Sequence, residues 1–175
     1  AGRIVDYGVV GEIVVQGASV ASGYRTQLDS LSLTSLSEGR LQTGDAGFLA
    51  NGELYVLGRI GDSLKIRGRV LFAEDLEVAI SGLGVPRGRV AVLLGSHRGV
   101  STVVALFELA RSTIADSILD VLRQRTEGAE VVLVFAGSGS IVRTSSGKPK
   151  RRQPWKQFTE GELANQAKSA ATGSD

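Results

Sequence analysis

The sequence predicts an α+β protein, with β-rich material toward its N-terminus and a compact helix-and-sheet unit behind it. Asn51-Gly52 divides two runs of strand type, which is the pattern of a tight hairpin. Apolar residues then take a 3.6-residue spacing over 73–83 and again over 113–126, as amphipathic helices require. Between and after these helices lie short apolar runs of strand length, ending with 131–135. With 175 residues, 42% hydrophobic and 22% charged, the chain can bury one full core or two modest ones.

Taken in order, residues 11–16 alternate and branch like a strand, and the glycine-punctuated stretch from Gly17 to Tyr24 reads as a loop. Residues 27–39 are rich in Ser and Leu and carry no pattern that assigns them. Residues 47–50 and 53–57 form the Asn51-Gly52 hairpin, whose antiparallel pairing brings Asp45 and Arg59 to one end. A second small hairpin is expected from 62–67 and 70–72 around Gly68. The helix that follows has Leu76, Ile80 and Leu83 on one face, acidic residues in its first turn and a Gly-Pro-rich stop. Strands are expected at 89–94 and 102–108, joined by a loop over 95–99 that exposes His97. The second helix carries Ile114, Ile118, Val121 and Leu122 on one side, with Thr113 and Asp116 spaced as a capping box and Gly128 as its stop. After the strand at 131–135, a Gly-Ser turn leads to Ile141-Val142 and the loop Arg143–Lys148.

There is no cysteine and one histidine, which excludes disulfide frameworks, thiolate metal sites and a multi-histidine site; no metal ligand is expected in this chain. No apolar run reaches membrane-spanning length and the N-terminus lacks the features of a signal peptide, so a cytoplasmic protein without a transmembrane segment is expected. The abrupt entry into 9–15 reads as the interior of a longer chain, and the tail at 161–175 is small and polar. Net charge is only +2, but Arg143, Lys148, Lys150, Arg151, Arg152 and Lys156 crowd into one segment. That segment reads as a solvated basic surface or as anion handling. Few aromatic residues lie near it, so nucleic acid is not an expected partner.

Lys148 stands behind a Ser-Ser-Gly turn whose backbone can approach a phosphate or carboxylate closely, and its stem lets the ammonium reach developing negative charge. Asp45 offers a carboxylate suited to sugar hydroxyls, and Arg59 a guanidinium suited to oxyanions.

These motifs, in order, resemble those of the adenylate-forming superfamily, which includes acyl-CoA synthetases, fatty acyl-AMP ligases, adenylation domains of nonribosomal peptide synthetases and luciferases. Gly11-Glu12-Ile13 with Gly17 and Gly23-Tyr24 is similar to the strand and loop before the ribose site, and Thr43-Gly44-Asp45 to the ribose motif. Gly58-Arg59 through Gly68 resembles the hinge and the loop after it, and Ser145-Ser146-Gly147-Lys148 the catalytic-lysine loop. Arg143–Lys148 and Gly52–Arg59 are most similar to the fatty acyl-AMP ligases. The resemblance implies a mobile C-terminal lid domain at 62–160, a hinge at 58–61 centred on Gly61, and the end of a large N-terminal domain at 1–57.

It also implies roles. Lys148 would be catalytic, Asp45 and Arg59 nucleotide-binding, and Arg67, Gly68 and Arg69 an acceptor-side loop. The substrates would be a fatty acid and ATP with Mg, bound mainly by the large domain that this chain lacks. The acceptor would be the thiol of an acyl carrier protein, or coenzyme A. The chain alone is expected to be inactive. It departs from the family pattern at Gly61, where a charged hinge residue is usual, and at Val142, Val70 and Ala73.

Overall fold

The computed structural model describes residues 3–23, 34–37, 39–110 and 113–163. Tyr24, residues 27–33 and 38 of the unassigned 27–39 stretch, and residues 164–175 of the 161–175 tail lie outside the described residues. The chain divides into two compact units, Ala1–Gly61 and Asp62–Asp175.

The first unit is an antiparallel sheet organised by one long strand. Strands β1 (Gly11–Gln16), β2 (Ser35–Ser37) and β4 (Glu53–Arg59) all pair with β3 (Arg40–Ala50). Asn51 (φ 53°) and Gly52 (φ 79°) supply the positive φ angles of the β3–β4 turn. Strand β3 starts seven residues earlier than the hairpin signal indicated, because Thr43-Gly44-Asp45 does not end the strand. Glu12 pairs with Ala46 and Val14 with Gln42, so residues 43–45 bulge out against Ile13 alone. Gly44, at φ 72°, makes the bulge possible.

In the second unit, β5 (Ser63–Ile66) and β6 (Arg69–Phe72) form the expected small hairpin around Arg67-Gly68. The chain continues through α1 (Ala73–Ser81), β7 (Val90–His97), β8 (Val100–Phe107), α2 (Ala115–Arg125), β9 (Glu130–Phe135) and α3 (Arg152–Thr159). Strand β8 is central, antiparallel to β7 and parallel to β9. Its period-two alternation feeds two cores. Val103, Ala105 and Phe107 join Val90, Val92 and the α1 and α2 residues Leu76, Ile80, Ile118 and Leu122. Val104 and Leu106 join Ala91, Leu93, Val134, Ile141 and Leu163 on the other face, with Trp155 and Phe158 of α3 packed against them. Helices on both faces explain why these strands read as continuous apolar runs.

Three local expectations need correction. Helix α2 begins at Ala115 with Ile114 at its N-cap and no side-chain cap, so Thr113 and Asp116 form no capping box; residues 113–114 are spent in a turn. The loop expected over 95–99 is strand as far as His97, followed by a two-residue turn at Arg98 (φ 51°) and Gly99 (φ 80°). His97 is therefore not an exposed loop residue: it is half-buried, its ring 5.2 Å from that of Phe158. The basic segment after Lys150 is helical, and Trp155 lies so close over Gly95 that a Cβ there would come within 2.2 Å of its ring.

Candidate functional site

The bulge decides the environment of Asp45. Thr43 donates its hydroxyl to the Ile13 carbonyl (2.9 Å), the group the bulge leaves without a ladder partner, and the same hydroxyl accepts the Asp45 N–H (3.0 Å). Gly44 N–H donates to Glu12 Oε1 (3.2 Å). A second irregularity acts on Arg59. Gly47 pairs with Val56 but Ala46 with Gly58, so Leu57 is skipped and Arg59 comes directly opposite Asp45. Arg59 Nε then donates to Asp45 Oδ1 at 3.0 Å, with the side chains 49% and 33% exposed. An ion pair this open contributes at most about 1 kcal/mol. Its use is orientation: one carboxylate oxygen and Nε are occupied by each other, while both side chains stay part-exposed, with a second acceptor oxygen and further guanidinium donors in hand.

Lys148 sits on an internally bonded turn. Gly147 (φ 82°) donates its N–H to the Thr144 carbonyl (2.9 Å), and Thr144 donates its own N–H to the Lys148 carbonyl (2.8 Å). The Thr144 hydroxyl accepts the Lys148 N–H (3.1 Å). Arg143 braces the turn from beneath, donating to the Gly147 carbonyl (3.3 Å) and to the Gly88 carbonyl. The Lys148 side chain is exposed, and none of the ion pairs among the described residues includes its ammonium. The backbone is fixed and the charge is free to reach out.

The basic segment is not uniform. Arg151 belongs to no anion-binding surface: only 9% exposed, it contacts Asp62 (2.8 Å), Glu74 (3.2 Å) and Glu77 (2.9 Å). Burial disfavours its cation, but the three carboxylates outweigh that and hold its pKa above the ordinary arginine value. Glu77 is pushed up by burial, against the lowering effects of Arg151 and of the Val92 N–H it accepts, with Glu74 adding like charge. Lys156 lies 3.7 Å from Glu160. Lys148, Lys150 and Arg152 are exposed and take part in none of the ion pairs among the described residues.

Gly61 lies in the 3-10 turn Ile60–Asp62, a right-handed conformation open to any residue, and Gly58 and Arg59 are the last residues of β4. Arg67 (φ 46°) and Gly68 (φ 84°) form the β5–β6 turn, with the Arg67 guanidinium lying against Gly128. Arg69 lines a groove of about 340 Å³ with Phe72, Asp75, Val78 and Arg125. Among the described residues no group of three or more His, Cys, Asp or Glu side chains could hold a metal ion. Nor, among them, is any helix long and apolar enough to cross a membrane.

The chain is 35% identical to the fatty-acid–CoA ligase FadD25 of Mycobacterium tuberculosis, over 83% of this chain and 29% of that protein. It is 32% identical to the long-chain-fatty-acid–AMP ligase FadD23 of the same organism, over 89% of this chain and 30% of the relative. A solved fatty acyl-adenylate ligase from E. coli or L. pneumophila superposes on 92% of this chain and 30% of its own, with 28% identity and a TM-score of 0.70.

The chain is a homologue of the adenylate-forming ligases. Two further members of that group match it: JamA of Moorena producens, a medium-chain-fatty-acid–[acyl-carrier-protein] ligase, is 32% identical over 88% of this chain and 29% of itself. The McyG A-PCP structure, complexed with phenylalanyl-adenylate, is 25% identical and covers 96% of this chain and 28% of its own, at a TM-score of 0.76. No protein-family model matches the chain. The chain spans under a third of the length of these ligases. Within the basic segment, sequence reasoning misplaced Arg151: its partners Glu77 and Asp62 are 74 and 89 positions away, so no local spacing could have signalled them.

Proposed function

We propose that the chain is the C-terminal part of a fatty acyl-AMP ligase, comprising the end of the large domain at 1–57, a hinge at 58–61, a mobile lid at 62–160 and a polar tail at 161–175. The whole enzyme joins a fatty acid to AMP and passes the acyl group to the phosphopantetheine thiol of an acyl carrier protein. The observation that carries this reading is Lys148: an exposed ammonium on a turn whose backbone is held by Arg143 and Thr144.

In the first step a carboxylate oxygen of the fatty acid attacks the α-phosphorus of ATP. The new O–P bond forms as the bond to the bridging oxygen breaks, and pyrophosphate leaves with that electron pair. Two anions meet in this step, so a lysine ammonium between them lowers their repulsion in the transition state and fixes their approach. Asp45 accepts ribose hydroxyls and Arg59 donates to ribose or phosphate, their mutual ion pair fixing both. In the second step the thiol sulfur attacks the acyl carbon, the C–O bond to AMP breaks, AMP leaves with the electron pair and the thiol proton passes to solvent. The turn Arg67-Gly68-Arg69 faces the acceptor in that step. The site of action is the cytoplasm.

The test is ATP–pyrophosphate exchange by the full-length protein with a panel of fatty acids. Lys148→Ala should slow exchange about 10²- to 10³-fold, the usual effect of removing one preorganised transition-state donor. Exchange at the wild-type rate refutes the reading and favours a lid-like module that binds a carrier without chemistry. FadD25 is named for coenzyme A and JamA for a carrier protein, so discharge is compared with both thiols. Transfer to coenzyme A alone makes the protein an acyl-CoA synthetase.

A further inference from the structure

We propose that Arg151 is the positioning residue for Lys148, an inference that rests on the reading of Lys148 as the group that meets the reactants. Two residues, Pro149 and Lys150, separate the two, and the segment between them has no slack. Pro149 pairs with Arg143 in an isolated bridge, and Lys150 donates its N–H to the Val142 carbonyl at 2.8 Å. Arg151 is then the N-cap of α3, accepting the Trp155 N–H at its carbonyl (3.0 Å) while its side chain is largely buried. Whatever fixes the Arg151 guanidinium therefore fixes the C-terminal arm of the lysine turn.

The guanidinium is fixed from two directions. One terminal nitrogen holds Asp62, the residue directly after Gly61, together with Glu74; the other holds Glu77 on α1. A planar fork can span these partners, whereas a lysine offers one compact charge. The cluster is poorly designed for stability. One cation faces three carboxylates, and Glu74 Oε2 and Arg151 Nε are buried without hydrogen-bond partners. Buried ion clusters of this kind are commonly no more stable than an apolar replacement of similar volume. What the cluster supplies is geometry: the lysine turn is locked to the first residue of its unit and to the start of α1.

The experiment uses the full-length enzyme carrying Arg151→Lys, and separately the pair Arg151→Met with Glu77→Gln. The pair removes the cation together with its most buried carboxylate, and the Gln oxygen can still accept the Val92 N–H. Exchange of pyrophosphate reports adenylation, which needs Lys148; discharge of presynthesised acyl-adenylate to the thiol reports the other half-reaction. Both variants should lose about 10²-fold in adenylation kcat, the effect of an ångström-scale misplacement, with KM for ATP changed less than about threefold and discharge less than about twofold. Wild-type exchange in either folded variant overturns the proposal, and so does a parallel fall in both half-reactions, which marks general loosening. If Arg151→Lys does not fold, the paired variant decides alone. Lys148→Ala run alongside separates the two failures: if it exchanges normally, the role given to Lys148 is wrong and this proposal falls with it.

Discussion

Glu77 holds its proton more tightly than a carboxylate in water, because burial disfavours the anion more than Arg151 and the Val92 N–H favour it. A pKa raised in the folded state above its ordinary 4.5 gives a contribution to stability that is complete below 4.5 and is lost as pH rises through the folded value. Glu77→Gln mimics the protonated form and removes this dependence. Urea midpoints of wild type and variant should therefore coincide in acid and separate as pH rises, the variant becoming the more stable, until Glu77 is fully ionised. A gap that narrows with rising pH contradicts the assignment. Of the single residues, the meeting of Asp45 and Arg59 was legible because it follows from a short local hairpin pattern. Asp45 and Arg59 met more directly than the hairpin alone predicts: an unbroken register would set Asp45 against Gly58, and the skip at Leu57 moves Arg59 into place. Bulges of that kind leave no signature in apolar periodicity.

At the scale of elements, strands β7, β8 and β9 and helices α1 and α2 were readable because each contributes a dense apolar face, with β8 buried on both of its sides. Helix α3 was not. Among its eight residues only Pro154, Trp155 and Phe158 are apolar, and a proline argues locally against a helix. Pro154 is tolerated because it falls in the first turn, where its missing N–H would have no intrahelical acceptor. What holds the helix is tertiary: Trp155 and Phe158 pack on the sheet, and Gly95 has no side chain because the indole occupies that space. Gly95→Ala should displace the indole and cost about 1–3 kcal/mol of stability, as overpacking does. Amide exchange over 152–159 should accelerate most. Uniform acceleration across the unit, or none, goes against this account.

For the whole molecule, the two units differ in what they bury. Residues 62–163 contain both apolar clusters, while residues 3–61 leave Val56 63%, Leu54 51% and Leu49 49% exposed. A polypeptide starting at Asp62 should unfold cooperatively by itself, and one ending at Gly61 should not. Starting instead at Ser63 removes the Asp62 carboxylate from Arg151 and should lower the urea midpoint; equal midpoints exclude a contribution from that pair. Gly61→Asp introduces no backbone strain, since the 3-10 turn accepts any residue. In the full-length enzyme it should alter the ratio of adenylation to discharge rates at unchanged stability, and an unaltered ratio refutes a hinge role. The chain has a single tryptophan, and Trp155 lies over Gly95, four residues after the start of the carboxylate-bound arm at Arg151. Its fluorescence in the 62–163 unit is therefore a built-in optical gauge of docking: a red-shifted emission on release of α3 reports, without any label, that the support behind the lysine has come away.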